Sequence, residues 1–232
     1  MKLVITVEVN NPKYKNQGIH VITTLFTVDK GVVKVLLIKR KNEPFKDKWS
    51  LVGGALYNDE DLDVGLRREV YEKSGIKDIP LELVGVHGKV NRSPVMRMVA
   101  VSYMGIIDIH SVNLLKETSK TSNADWIPLS QIPNLSLAYD HDEIIEEAFQ
   151  FLKKRILNSN ILATLFPNGF TMPEIHKVYE TILGIHIDRR NFRRKLLSLN
   201  LIEDTNKTAK FLGNKPAKLY RFKDYIEDKN VF

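Results

Sequence analysis

The sequence contains no cysteine, which excludes a disulfide framework, a thiolate metal site and a cysteine nucleophile. It also contains no apolar run near the ~18 residues that a membrane-spanning helix needs, and its first residues do not resemble a signal peptide. Apart from His141, the histidines are scattered without the spacing of metal ligands. We therefore expect a soluble, cytoplasmic protein that has no membrane partner.

The charge is unevenly distributed along the chain. The formal net charge is +7, and residues 158–232 hold 13 lysines and arginines against 8 acidic residues. The excess is densest over residues 188–221, with 10 basic and 3 acidic side chains. Such a concentration favours an anionic macromolecular partner, although charge alone is as compatible with a solvated basic face on an ordinary domain.

The pattern of apolar residues divides the chain into three parts. Residues 1–18 read as an N-terminal arm, residues 19–157 as a first domain and residues 158–232 as a second. In the first domain, two β-branched runs flank the turn "DKG", a helix is predicted from about Asp61 to Ser74, and further strands follow. This alternation predicts an α/β sandwich of mixed sheet and helices.

Another helix is predicted after "AYDHDE". The cluster of Asp140, His141, Asp142 and Glu143 invites interpretation as a metal site. Its more common meaning is helix initiation, with Asp140 as the N-cap and Glu143 three residues later.

The second domain reads as three short helices followed by a hairpin. "ILATLF" is predicted as the first helix, Thr171 and Glu174 open the second, and Asp188 caps the third. Two strands, around "LIEDT" and "AKLYRF", then enclose a basic tip. Helix, turn, basic helix and basic hairpin together indicate a winged helix-turn-helix.

The third helix carries four arginines near its start, opposite a face formed by Phe192, Leu196 and Leu199. Their mutual repulsion would be offset by phosphates and guanine edges of double-stranded DNA. The alternative is a small interaction domain with a solvated basic helix. The predicted DNA-binding residues are Arg189, Arg190, Asn191, Arg193 and Arg194 on the helix, and Lys210, Lys215 and Lys218 on the wing.

On the helix predicted near residue 70, Glu69, Glu72 and position 73 share an arc of about 100°. Carboxylates grouped in this way can bind Mg²⁺ beside a diphosphate. The spacing from Gly54 through "REVYEKSGI" resembles the Nudix box, G-x5-E-x7-R-E-U-x-E-E-x-G-U, where U is aliphatic. The one departure is Lys73, which stands at a metal-ligating glutamate position. An ammonium cannot ligate Mg²⁺ and repels it.

A Nudix box followed by a winged helix resembles the Nudix-related transcriptional regulators, particularly in "IHIDRRNFRRKLLSLNLIEDT" and "LGNKPAKLYRF". The resemblance implies an α/β (α+β) protein, with a Nudix α/β/α sandwich of mixed sheet and a winged helix-turn-helix. It also implies a homodimeric repressor of NAD-metabolism genes that binds a DNA operator and responds to a small-molecule effector, ADP-ribose or a related metabolite. No cofactor is then required, and any weak Mg²⁺ binding would use Glu69 and Glu72, the remnants of the catalytic site.

Effector contacts are predicted around the box. Arg40 and Arg97 are candidates for the phosphates, and Phe45 or Trp49 for stacking on a base, although both aromatics could equally anchor a loop. Two other functions stay open. One is an active Mg²⁺-dependent pyrophosphatase acting on ADP-ribose or similar compounds, and the other is a nucleotide-responsive module that binds protein and not DNA.

Overall fold

The computed structural model describes residues 17–211 and 215–223. The strands are β1 (Gln17–Asp29), β2 (Val32–Arg40), β3 (Trp49–Ser50), β4 (Val52–Ala55), β5 (Glu82–His87), β6 (Arg97–Ile106), β7 (Thr121–Pro128), β8 (Phe170–Thr171), β9 (Ile202–Ala209) and β10 (Ala217–Phe222). The α-helices are α1 (Leu62–Ser74), α2 (His141–Arg155), α3 (Met172–Leu183) and α4 (Arg189–Ser198). Short 3-10 helices lie at Ile109–Ser111, Leu129–Asn134 and Ile161–Leu165.

The first seven strands form one mixed sheet with the order β3-β2-β1-β6-β5, to which β4 adds beside β1 and β7 beside β2. β1 and β2 form the predicted antiparallel hairpin, and β1 also runs parallel to β6. The hairpin turns at Lys30 and Gly31, which have φ values of 50° and 76°. Positive φ at two successive residues gives a turn whose twist matches that of the strands.

Helices cover both faces of this sheet, so the predicted α/β/α sandwich is confirmed. α1 packs Leu66 and Val70 into one apolar cluster with strand residues such as Leu25 and Leu36. α2 contributes to a second cluster on the opposite face. Each helix therefore buries one apolar stripe, as amphipathic helices do.

The second cluster continues into the C-terminal part of the chain. It includes Ile144 and Leu152 of α2 together with Tyr179 of α3 and Phe192 of α4. The Tyr179 hydroxyl donates a hydrogen bond to the carbonyl of Ile156, just after α2, at 2.9 Å. The sandwich and the C-terminal helices thus share one apolar core.

The C-terminal part contains α3 and α4 beside the three-stranded sheet β8-β10-β9, which is the predicted winged helix. Thr171 and Glu174 form a complete capping box, and the Asp188 side chain accepts from the Asn191 backbone N–H at 2.8 Å. Both predicted helix starts are confirmed because caps act within one turn of chain.

Two local predictions differ from the structure. "ILATLF" does form a helix, but a short 3-10 helix at Ile161–Leu165, which ends before Phe166, the residue that Pro167 restricts; the assignment of Gln17 and Gly18 is the larger error. Gln17 and Gly18, placed in the arm, are the first residues of β1. The rest of the predicted arm lies outside the described residues. Among those that are described, no helix is long and apolar enough to cross a membrane.

Candidate functional site

The loop that leads into α1 is fixed by an arginine–glutamate pair. Arg68 donates two hydrogen bonds to Glu60, at 2.8 Å from Nε and 2.6 Å from Nη2. The guanidinium lowers the pKa of Glu60 to about 2. The pair braces the loop against the helix, since such bidentate pairs define orientation as well as distance.

Gly54, at the end of the sheet, allows the glutamate of α1 to approach the backbone. A Cβ at Gly54 would lie 2.4 Å from the carboxylate atoms of Glu69, so a larger residue would displace that carboxylate from its ion pairs with Arg68 and Lys73. The Gly54 requirement in the sequence pattern therefore reflects the close approach of Glu69.

Lys73 is buried beside that carboxylate. Its ammonium nitrogen lies 2.9 Å from Glu69 Oε2 and also donates to the carbonyl of Gly53. Arg68 Nη1 donates to the other oxygen, Glu69 Oε1, at 2.7 Å. Burial by itself raises the pKa of Glu69, but the two cations outweigh it and hold that pKa below its usual range. Burial in turn lowers the pKa of Lys73, partly offset by Glu69.

The second predicted carboxylate is also neutralised from within the chain. Glu72 Oε2 lies 3.1 Å from Lys120 Nζ and 3.6 Å from Arg68 Nη1. The described ranges, residues 17–211 and 215–223, contain no group of three or more histidine or acidic side chains that could hold a metal ion. The residues present therefore do not fit the Mg²⁺ that a Nudix box implies, because an ammonium occupies a ligand position and the remaining carboxylates already have cationic partners.

A cleft opens beside Lys73 at the edge of the sheet. It is lined by His20, Ile22, Arg40, Leu51, Gly53, Gly54, Ala55, Lys73, Tyr139 and His141. Arg40 lies with its guanidinium 5.4 Å from the centre of the Tyr139 ring, and its Nε donates to the carbonyl of Pro44 at 2.8 Å. The Phe45 ring is 4.7 Å from the same tyrosine ring, edge to face. Arg40 thus lines the cleft, and Phe45 contacts it through Tyr139.

The other two predicted effector contacts lie elsewhere. Trp49 is half-buried and packs against the second apolar cluster, and its carbonyl accepts from the backbone of Ala138 at 2.8 Å. Arg97 opens β6 and donates to the carbonyls of Lys89 and Met98. Neither side chain is among those that line the cleft.

Asp140 occupies the predicted N-cap position of α2, but its side chain makes no capping hydrogen bond. Instead it accepts from Arg92 Nη2 at 2.7 Å and from Arg92 Nε at 3.0 Å. The long-range pair replaces the local cap because Arg92 engages both carboxylate oxygens and brings a full opposite charge to a buried position.

Three cleft residues were missed from the sequence. His141 accepts a hydrogen bond from the Leu51 backbone N–H at 3.0 Å, and burial lowers its pKa to about 3. Burial, assisted by the charge of Arg92, lowers the pKa of His20 to about 4. Tyr139 has a φ of 57°, which is unusual for a bulky residue. The only sequence signal was the "AYDHD" cluster, which local reasoning assigned to helix initiation.

The basic surface lies on α4. Phe192 and Leu196 are buried, and the predicted DNA-binding residues of this helix are all exposed. Within residues 17–211 and 215–223, no carboxylate lies within ion-pair distance of Arg189, Arg190, Arg193 or Arg194. Arg194 donates to the side chain of Asn191 at 2.9 Å. The arginines therefore present their charge to solvent.

The wing adds further cations beside this helix. Lys218 of β10 lies 2.7 Å from Asp204 of β9, and both side chains are on the surface. Lys210 and Lys215 are exposed. The residues at the tip between them, 212–214, lie outside the described part of the chain.

Comparison with known proteins agrees with this two-part organisation. The NUDIX domain model matches residues 18–148, and the model of the NrtR DNA-binding winged helix domain matches residues 162–222. The chain is 34% identical over 200 residues to the ADPR responsive transcriptional repressor NtrR of Acinetobacter baylyi, covering 85% of this chain and 79% of that protein.

Two solved structures are also similar. The crystal structure of Shewanella oneidensis NrtR complexed with a 27mer DNA has a TM-score of 0.76 and 30% identity, covering 88% of this chain and 93% of the other. The NUDIX domain of the same protein, in a cocrystal structure with ADP ribose, has a TM-score of 0.57 and 29% identity, covering 63% of this chain and 99% of the other.

Proposed function

The chain belongs to the NrtR family, in which a Nudix domain is joined to a winged helix domain, and we propose that it is a DNA-binding transcriptional repressor that responds to ADP-ribose. Its Nudix domain is the sensor and α4 is the recognition helix. The resemblance to Nudix-related regulators further implies that the controlled genes belong to NAD metabolism.

The observation that carries this proposal is the set of exposed arginines on α4. Within the described residues they have no carboxylate partners, while Phe192 and Leu196 bury the opposite face of the same helix. A rigid helix that holds four cations towards solvent is suited to the major groove, where phosphates position the protein and guanine edges specify the sequence. Similarity to a structure solved with a 27mer DNA adds support.

The Nudix site is suited to binding and not to hydrolysis. The Lys73 ammonium, held 2.9 Å from Glu69, takes a place where a Nudix enzyme would bind a cation. We therefore propose that effector binding needs no metal. Arg40 lines the cleft and can offset part of the charge of a diphosphate, and Phe45 lies beside Tyr139 at its edge.

We further propose that the protein acts as a homodimer in the cytoplasm, where its operator lies. A two-fold symmetric dimer would place two α4 helices about one turn of DNA apart, or a multiple of that distance, on a palindromic site. The family resemblance supports this arrangement.

The experiment is operator binding by fluorescence anisotropy. DNA from upstream of the gene and its neighbours is compared with scrambled DNA over a salt series, with and without ADP-ribose and without added metal. We expect specific binding to exceed nonspecific binding by ~10³-fold or more and to shift with ADP-ribose. Equal weak binding to both DNAs, with consumption of ADP-ribose in Mg²⁺, would instead identify a hydrolase.

A further inference from the structure

Residues 139–141 form an unusual junction between the cleft and α2. Tyr139 lines the cleft and has a φ of 57°. A bulky residue holds this conformation only where its surroundings enforce it, and such positions concentrate at functional sites. Here the next two side chains are both engaged, Asp140 by Arg92 and His141 by the Leu51 backbone.

Arg92 is the residue of this junction that has an unused hydrogen-bond donor. Its side chain is 0% exposed, and Nε and Nη2 are both used by Asp140. Nη1 is buried and has no hydrogen-bond acceptor in the described structure. A buried guanidinium N–H without an acceptor is costly, so a site of this kind calls for an explanation.

The position of Arg92 beside the cleft offers an explanation for its unpaired Nη1. Its guanidinium lies 5.9 Å from the centre of the Tyr139 ring, and that ring is part of the cleft wall. The charge of Arg92 also contributes to the lowered pKa values of His20 and His141 in the same wall. The free Nη1 donor of Arg92 is therefore separated from the cleft by one side chain, that of Tyr139, and the charge of Arg92 still acts on the histidines of the cleft wall.

The carboxylate that Arg92 holds is linked to the DNA-binding part. Asp140 immediately precedes α2, and the carbonyl of Ile156, immediately after α2, accepts from the hydroxyl of Tyr179. The Tyr179 ring in turn lies 5.1 Å from the Phe192 ring of α4. A change at the start of α2 thus has a continuous packed route to the recognition helix.

We propose that Arg92 is an effector-binding residue: when the Tyr139 ring that separates it from the cleft shifts, the free Nη1 donates to an anionic oxygen of the effector, and the Arg92–Asp140 pair reports this contact to α2. The inference rests on the proposed function and assigns a residue to it. A phosphate oxygen suits the position because guanidinium bonds to phosphate are strong and directional. An effector that engages Arg92 changes how the guanidinium is shared with Asp140, and so binds the two arrangements of α2 unequally, as regulation requires.

The test uses the full chain, ADP-ribose titrated by calorimetry, and operator anisotropy with and without ADP-ribose. Arg92→Lys keeps the charge and removes the fork, and we expect it to weaken ADP-ribose binding about tenfold or more. Asp140→Asn keeps Arg92 but removes the carboxylate that shares it, and we expect this variant to lose most of the effector-induced shift in operator affinity at saturating ADP-ribose. The control is Arg67→Lys, an exposed arginine paired with Asp63 at 2.9 Å, which should change neither quantity.

A folded Arg92→Lys variant that binds ADP-ribose as tightly as the unmodified chain would overturn the assignment. Should that variant fail to fold, Asp140→Asn decides: an undiminished effector shift overturns the reporting role, and a lost shift supports it. Failure of the proposed function would give a different result: the unmodified chain itself would bind neither ADP-ribose nor the operator in preference to scrambled DNA.

Discussion

Helices α1 and α4 both carry many charged side chains, but the charges of α1 are paired within the chain and the arginines of α4 are exposed. On α1, Arg68, Glu69 and Lys73 are all ion-paired within the chain, at distances of 2.6–2.9 Å. On α4, the four arginines have no carboxylate partner in the described part of the chain, and they are exposed.

The difference indicates which kind of ligand each helix can attract. Charges that are paired in a buried site are already compensated, so they hold the loop and the cleft in shape and leave little attraction for a metal ion. Unpaired exposed charges of one sign repel one another and gain most from an external anion. The paired charges of α1 therefore stabilise a binding site, whereas the exposed charges of α4 are available to bind an anionic partner.

The largest expected effect comes from reversing the central charge of α1. Lys73→Glu should lower the free energy of unfolding by about 3–5 kcal/mol, because Glu69 loses a buried cation and gains a second carboxylate. Mg²⁺ should restore part of the loss by binding the new carboxylate cluster. The measurement is urea unfolding with and without Mg²⁺.

The control for this experiment is Lys77→Glu, which makes the same charge change at an exposed residue just beyond α1. An equal, Mg²⁺-independent loss in both variants would mean that the Lys73–Glu69 pair is not what distinguishes this helix.

The next effect concerns α4. Arg190→Ala combined with Arg194→Ala should weaken operator binding ~100-fold or more, since each arginine contact with DNA is worth about 1–3 kcal/mol. Stability should not change because both side chains are exposed. Anisotropy measures the affinity, and Arg67→Ala with Lys116→Ala removes the same charge from the Nudix domain as a control. Similar losses of operator affinity in the two double variants would mean that α4 acts only as a nonspecific basic surface.

A smaller effect depends on pH and comes from the cleft beside α1, which His141 of α2 also lines. His141 has a pKa of about 3 in the folded chain and about 6.5 when unfolded, so between these values the unfolded state binds more protons. Stability should therefore fall as the pH decreases below about 6.5, by up to about 1.4 kcal/mol per pH unit. Unfolding at pH 7.5 and 5.5 measures this dependence.

His141→Gln keeps an acceptor for the Leu51 N–H but does not titrate, so the dependence should become weaker. His110→Gln, at an exposed histidine, should leave it unchanged. If both variants keep the full dependence, the buried groups near the cleft do not set the acid stability of the protein.

The smallest effect is expected at the wing. Lys218 must leave Asp204, 2.7 Å away, before it can contact a phosphate. Lys218→Ala should therefore reduce operator affinity only about three- to tenfold and the slope of log affinity against log salt by about 1. Stability should be unaffected, because exposed ion pairs contribute little. An unchanged salt slope would show that this lysine does not reach the DNA backbone.

Much of the protein could be predicted from its sequence because the deciding interactions are local. The starts of α3 and α4 follow from Thr171 and Asp188, whose side chains cap backbone groups three residues ahead. The exposure of the arginines of α4 follows from the helical period, since burying Phe192 and Leu196 leaves the other face to solvent. The Nudix box likewise placed Glu69, Glu72 and Lys73 on one side of a single helix.

The tertiary structure decided the contacts between distant parts of the chain. The sequence placed Lys73 on the same face as Glu69 and Glu72 without deciding which group it contacts. The fold gave it Glu69 and the Gly53 carbonyl, while Lys120 took Glu72. Asp140 looked like a helix cap until the fold brought Arg92, 48 positions earlier, against it. Periodicity and capping act within a few residues, whereas the pairing that assembles the cleft depends on how strands β1 and β6 and helix α2 come together in space.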